Sequence, residues 1–135
     1  MITGINHITL SVINLDESFN FYTQVLGCQP VAKWKRGAYL QAGDLWLCLF
    51  LDERTRLGTL PEYTHIAFSV AAKDFERFSH KIIDSGTTWK QNTSEGLSLY
   101  FLDPNGHKLK FHTGDLKTRI EATKKQPLEG MEFFV

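Results

Sequence analysis

The stretch Trp89–His112, WKQNTSEGLSLYFLDPNGHKLKFH, holds the densest set of side chains suited to binding an anion. Lys90 offers a point charge, Ser94 and Ser98 offer small hydroxyl donors, and Tyr100 offers a phenolic donor. Phosphate and phosphonate oxygens are recognised by such a mixture, one or two cations beside several neutral donors. An ordinary hairpin with a polar loop uses the same residue types, so the stretch needs support from the rest of the chain. Histidines supply it. His7 opens the segment HITLSV, and His65 opens the matching segment HIAFSV. A lone strand histidine is more often a surface or satisfied core residue, whereas two at equivalent positions of a repeat favour a bound metal. Cys48 lies between Leu47 and Leu49 with no histidine beside it, and reads as a small core residue. No Ser/His/Asp triad, Cys-x-x-Cys pair, P-loop or dinucleotide fingerprint is present.

The elements that must position these residues form a repeat. Gly4–Ile13 alternates as a strand, Asn14–Leu26 carries apolar residues at helical spacing, and Gly27 ends that helix. Three strands follow, over about Gln29–Lys35, Gly37–Ala42 and Asp44–Leu51. The polar run Asp52–Glu62 reads as a linker. The pattern then restarts with a strand over Tyr63–Val70, a helix over Ala72–Ser85 closed by Gly86, and strands over Thr88–Gln91, Leu97–Asp103 and His107–His112. Asp103-Pro104-Asn105-Gly106 is a strong hairpin turn, and a short helix over Asp115–Lys125 follows. The expected fold class is therefore α+β, two βαβββ modules forming a cupped mixed sheet. A single domain spans residues 1–135, with modules over about 1–52 and 62–114 and a C-terminal helix over 115–125. Alternation puts His7 with Thr9, His65 with Ala67, and Lys108 with Lys110 and His112 on the faces away from the Leu109 and Phe111 side. The two histidines are thereby expected to converge across the pseudo-two-fold of the cup.

Composition narrows the class of function. The 135 residues carry 15 basic and 15 acidic side chains and are 42% hydrophobic, enough to bury a core and too balanced for a nucleic-acid binder. The basic cluster Lys117, Arg119, Lys124 and Lys125 reads mostly as a solvated helix face. Two cysteines make no disulfide framework, the N-terminus is no signal peptide, and no apolar run spans a bilayer. The expectation is a cytoplasmic protein that engages neither membrane nor nucleic acid.

The chain is similar to the fosfomycin-resistance glutathione transferases of the vicinal oxygen chelate (glyoxalase/bleomycin-resistance) superfamily over nearly its full length. The resemblance rests on Gly4-Ile5-Asn6-His7-Ile8-Thr9-Leu10, Gly37-Ala38-Tyr39-Leu40, Leu45-Trp46-Leu47-Cys48-Leu49 and Tyr63-Thr64-His65 in the first half. In the second half it rests on Trp89-Lys90, Asn92, Ser94-Glu95-Gly96, Tyr100-Phe101-Leu102-Asp103-Pro104, Gly106-His107, Gly114-Asp115-Leu116 and Gly130-Met131. It implies a homodimeric enzyme with a divalent metal, usually Mn²⁺, in the cup, where glutathione thiolate opens the epoxide of fosfomycin. The resemblance places metal ligands at His7 and His65. Phosphonate contacts fall at Thr9, Lys90, Ser94, Ser98, Tyr100 and Arg119, of which Thr9, Lys90, Tyr100 and Arg119 would act in catalysis. Tyr39 and Trp46 would line the pocket. The loop Asn92, Ser94, Glu95, Gly96 and Ser98 corresponds to a K⁺ site.

One departure stands out. The position of the family's third metal ligand, a glutamate, is Lys110 here. An ammonium repels a divalent cation where a carboxylate attracts it. Three accounts compete: His112 substitutes as ligand; two histidines with water and substrate suffice; or Lys110 itself adds positive charge to an anion pocket. A binding relative without turnover is the alternative to a transferase. Ile66 and Leu128, where relatives tend to carry tyrosine, and Thr93, where they tend to carry arginine, are smaller departures.

Overall fold

A computed structural model describes the backbone of residues 1–135 and every side chain apart from that of Ser85. Its element order is β1 (His7–Val12), α1 (Leu15–Asn20), β2 (Gln29–Trp34), β3 (Gly37–Ala42) and β4 (Leu45–Leu51). Then come β5 (Ile66–Ser69), α2 (Ala72–Ser85), β6 (Thr88–Lys90), β7 (Ser98–Leu102), β8 (Lys108–His112) and α3 (Leu116–Lys125). The βαβββ repeat is therefore as expected from the sequence. Each module folds into its own mixed sheet, in the orders β1-β4-β3-β2 and β5-β8-β7-β6, with β1 parallel to β4 and β5 parallel to β8. The two sheets share no strand pairing among the described residues, so one chain contains two half-cups rather than one continuous cup.

Several boundaries are tighter than the alternation suggests. The first strand begins at His7, and the fifth begins at Ile66, leaving His65 just outside it. The first helix is capped by the Asn14 side chain on the Glu17 N–H, and its last turn widens into a π-helix over Phe21–Val25. Asp115 is not the first residue of α3 but its cap, exchanging hydrogen bonds with Thr118.

Period two in the strands decides the layers. Leu10 and Val12 of β1, Leu47 and Leu49 of β4, and Leu109 and Phe111 of β8 face a common core with Leu15, Tyr22 and Ile82 from the helices. Removing each such side chain from water contributes roughly 1.5–3 kcal/mol. The opposite sheet faces carry polar and aromatic side chains, some of them, Tyr100 and Lys110, themselves buried. His7, Thr9, Tyr39 and Trp46 stand on the first, and Ser98, Tyr100, Lys110 and His112 on the second. The modules are also tied by polar bonds. Tyr22 donates to Asp103 Oδ2 at 2.7 Å, Asn105 donates to Ser18 Oγ at 2.9 Å, and the Ile13 N–H donates to Asn105 Oδ1 at 2.9 Å.

Candidate active site

The second sheet carries the residues expected from the sequence to bind an anion. Lys110 lies in register between Ala67 of β5 and Tyr100 of β7, and Lys90 of β6 lies opposite Tyr100 on the other side. Two ammonium groups therefore flank one phenol. Lys90 Nζ is 5.0 Å from the Tyr100 ring centre and Lys110 Nζ is 4.8 Å from it. Burial pushes the Tyr100 phenol up, but hydrogen bonds from Lys110 and Ser94 and the charges of both lysines outweigh it and hold the group below the ordinary tyrosine range. Lys90 also hydrogen-bonds the Tyr63 hydroxyl, and that bond, more than any other contact, holds its ammonium above the usual lysine range.

The loop between β6 and β7 is clipped to α3. Arg119 donates from Nε to Glu95 Oε1 at 2.9 Å and from Nη2 to Ser94 Oγ at 3.2 Å. His112 lies 3.1 Å from the same Glu95 oxygen through Nε2, and 2.7 Å from Ser98 Oγ through Nδ1. Arg119 is the main reason that the Glu95 carboxyl sits below its ordinary range. Gly114 makes the clip possible, since a Cβ there would lie 2.7 Å from Glu95 Oε2, His112 Nε2 and Thr118 Oγ1. Arg119 is thus not part of a solvated helix face. With Lys110, His112 and Ala67 it lines an open cavity of about 320 Å³. A larger cavity of about 560 Å³, lined by Leu26, Cys28, Phe78 and Phe111, lies between the modules and carries neither lysine nor histidine.

Asn92 closes the loop from within. Its Oδ1 accepts from the Ser94 N–H and hydroxyl, and its Nδ2 donates to the Gly96 carbonyl. Arg119 already meets the charge of Glu95. The K⁺ that the resemblance places here has hydroxyl and carbonyl oxygens to meet but no unpaired carboxylate.

The first sheet carries a different set. Trp34, Tyr39, Trp46 and His7 form a continuous line of ring contacts, with centroid separations of 4.8, 5.4 and 4.3 Å in that order. Thr9 lies beside Cys48, which is itself opposite Tyr39. Cys48 is buried, as expected of a small apolar residue, but it lies on the Thr9–Tyr39 face and outside the main core cluster formed by Leu47 and Leu49. Among the described residues no hydrogen bond, ion pair or ring contact joins this set to the Lys90–Tyr100–Lys110 set. The expected convergence of His7 with His65 is thus not displayed by contacts within one chain.

Both histidines nevertheless suit a metal. His7 Nδ1 is 2.7 Å from Asn6 Oδ1, and His65 Nδ1 is 3.2 Å from the Tyr63 carbonyl. An acceptor at Nδ1 keeps the proton there and leaves the Nε2 lone pair for a metal. The remaining position does not add a donor. Among the described residues no three His, Cys, Asp or Glu side chains are grouped to hold an ion, and Lys110 brings a cation. His112 does not substitute for the missing carboxylate, because Ser98 and Glu95 engage both of its nitrogens. Tyr63, which orients both Lys90 and His65, has no role assigned from sequence; its place two residues before His65 is the only signal that marks it.

The sheets, the repeat and the open faces define a vicinal oxygen chelate architecture. The chain belongs to the Glyoxalase/Bleomycin resistance protein/Dioxygenase superfamily, which it matches over residues 4–111. Within it, the chain is 48% identical to the glutathione transferase FosA of Serratia marcescens, over 98% of this chain and 96% of that one. It is 34% identical to the metallothiol transferase FosB of Lysinibacillus sphaericus, over 98% and 97% of the two chains. Among solved structures, the fosfomycin resistance protein FosX of Mesorhizobium loti superposes with a TM-score of 0.74 at 28% identity, covering 89% of this chain and 99% of that one. FosX of Listeria monocytogenes, complexed with Mn(II) and sulfate, gives 0.75 at 25% identity, covering 90% and 98%.

Proposed function

We propose that this chain is a fosfomycin-resistance enzyme, a metal-dependent glutathione transferase that opens the epoxide of fosfomycin. The observation that carries the reading is the Lys90–Tyr100–Lys110 row with Ser94, Ser98 and Arg119 beside it, on a chain 48% identical to a glutathione transferase. Near full-length identity to transferases favours turnover over mere sequestration of a drug.

The chemistry follows from charge. Lys90 and Arg119 attract the phosphonate, while Ser94, Ser98 and Tyr100 donate to its oxygens and fix its orientation. Thr9 approaches the same ligand from the first sheet, and Tyr39 and Trp46 wall the pocket. The positive potential favours the thiolate of glutathione over the thiol. The thiolate forms a C–S bond to an epoxide carbon as the C–O bond breaks, and the released alkoxide takes a proton from water. A divalent ion, Mn²⁺ in this reading, would be held by Nε2 of His7 and His65 and would supply Lewis acidity at the epoxide oxygen.

The two sets of site residues come together in a homodimer, the first sheet of one copy completing the second sheet of its partner. The uncovered aromatic line supports this, with Trp46 38% and Phe50 44% exposed on the first sheet. Each copy is one domain whose modules, about 1–52 and 62–114, are held by the Tyr22–Asp103 and Asn105–Ser18 bonds. No helix among the described residues is long and apolar enough to cross a membrane. The reduced thiol consumed and the two free cysteines fit the cytoplasm. Incubation of the purified protein with fosfomycin, glutathione and Mn²⁺ should give an adduct by mass spectrometry, lost in Lys90→Ala; no adduct from the unsubstituted protein removes the reading.

A further inference from the structure

Lys110 is only 6% exposed, yet none of the ion pairs among the described residues includes it. Its ammonium rests against a phenol, with Nζ 4.8 Å from the Tyr100 ring centre. Glu95, on the loop that reaches His112 of the same strand, is engaged by Arg119 and His112. A buried ammonium that is hydrogen-bonded to a phenol and paired with no carboxylate has lost hydration without gaining a full counter-charge, so it favours any anion that reaches it. It also opposes any cation placed nearby, and the His65 ring lies 6.1 Å from the same Tyr100 ring. Anion and metal are therefore coupled through one side chain.

The geometry points to Lys110 as a gate that makes metal loading conditional on the anion: the protein takes up its phosphonate without metal, and the divalent ion enters only the anion-bound site. This rests on the phosphonate reading above for the ligand and goes beyond it for the order of assembly. A bound phosphonate presents one oxygen to Lys110 and leaves others for the metal. The ammonium then becomes half of an ion pair, no longer an unopposed repelling charge. Linkage makes the effect reciprocal, so the metal must strengthen phosphonate binding by the same factor.

The test uses the full-length protein stripped with EDTA and dialysed. Mn²⁺ is titrated while the electron paramagnetic resonance signal of the free ion is followed, in buffer alone, with saturating fosfomycin, and with saturating inorganic phosphate. Fosfomycin is titrated calorimetrically in EDTA. Fosfomycin should bind in EDTA, and either anion should raise the Mn²⁺ affinity by about a hundredfold or more, near the upper end of usual coupling. Lys110→Met should lose most of that coupling, and Lys110→Glu should bind Mn²⁺ tightly with no anion present. Tight Mn²⁺ binding by the unsubstituted protein in buffer alone overturns the inference, as does fosfomycin binding that requires Mn²⁺, or Mn²⁺ that stays free in every arm. The unsubstituted protein alone decides whether metal loading is anion-dependent; retention of the full coupling in Lys110→Met, or in Lys110→Gln where the first variant does not fold, overturns the assignment of the gate to Lys110. Adduct formation with anion-independent Mn²⁺ binding removes this inference alone. Phosphate-coupled Mn²⁺ binding without any fosfomycin adduct removes the transferase reading and leaves this one standing.

Discussion

Glu95 is one carboxylate that ties α3 to the last strand beside the candidate site. It holds Arg119 at 2.9 Å and His112 at 3.1 Å, and so sets where the guanidinium and the Ser98 hydroxyl point. Glu95→Gln should leave the sheet intact but loosen Arg119, lowering fosfomycin affinity by about tenfold, or 1.4 kcal/mol, by calorimetry. The pH dependence has a fixed sign. The Glu95 carboxyl lies below its ordinary value in the fold, so its contribution to stability is complete above the unfolded value of about 4.3 and is lost as pH falls through the folded one. Thermal unfolding followed from pH 6 downward should therefore show a smaller acid-induced fall in Glu95→Gln than in the unsubstituted protein; equal falls remove the pairing as a source of acid sensitivity. Much at this scale was legible in the residues. Strand alternation put Lys108, Lys110 and His112 on one side of the last strand; that Tyr100 and Lys90 share that side follows from the register of the neighbouring strands. The partnership of Glu95 with Arg119 was not legible, since it spans 24 positions and depends on where α3 returns.

At the scale of elements, the Asp103–Gly106 turn does more than reverse a strand. Asp103 Oδ1 accepts from the N–H groups of Asn105 and His107, which shapes the turn as its sequence implies. Its other oxygen accepts from buried Tyr22, 81 positions earlier, and Asn105 reaches Ser18 and Ile13. No local pattern could reveal those bonds, because the partners belong to a different module. Burial pushes the Tyr22 hydroxyl well above the usual tyrosine range, with Asp103 adding to it, so the phenol stays a donor throughout the accessible pH range. Tyr22→Phe strips a donor from a buried carboxylate and should cost about 1–3 kcal/mol by urea denaturation, with adduct formation per folded molecule unchanged. Gly106→Ala should also destabilise, by more than about 1 kcal/mol. Its φ is +84° and a Cβ there would meet the Gly58 carbonyl oxygen at 2.6 Å. A full-stability Tyr22→Phe protein would mean that the Tyr22–Asp103 bond adds nothing to a module contact held by the Asn105 bonds and apolar packing. The repeat itself was legible because each module solves the same packing problem with the same letters. The separation of the sheets was not, because period two fixes which face is wet and says nothing of what covers it.

For the whole molecule the question is what completes each open half-cup. The first sheet presents His7, Thr9 and an exposed aromatic line; the second presents His65, Lys90, Tyr100 and Lys110. One set is apolar with a metal-ready imidazole, and the other is cationic with a second imidazole. Facing each other across two copies, they would shield a small anion from water and bring both Nε2 atoms to a divalent ion beside it. If the histidines act in trans, His7→Ala and His65→Ala homodimers are both inactive, but subunit exchange between them restores function. A mixed dimer has one site with both histidines and one with neither. With random exchange half of the dimers are mixed, so the activity recovered should approach about a quarter of the unsubstituted value. The experiment needs sedimentation to confirm that the starting proteins are dimers, brief exposure to mild denaturant to exchange subunits, and adduct formation as readout. Histidines acting within one chain would give no recovery at any mixing ratio, because neither variant then contains a complete pair. Trp46→Lys provides the physical control. A charge placed in the aromatic line should shift sedimentation toward the monomer and abolish the recovery together with the activity; a fully active monomer would put both histidines back in a single chain.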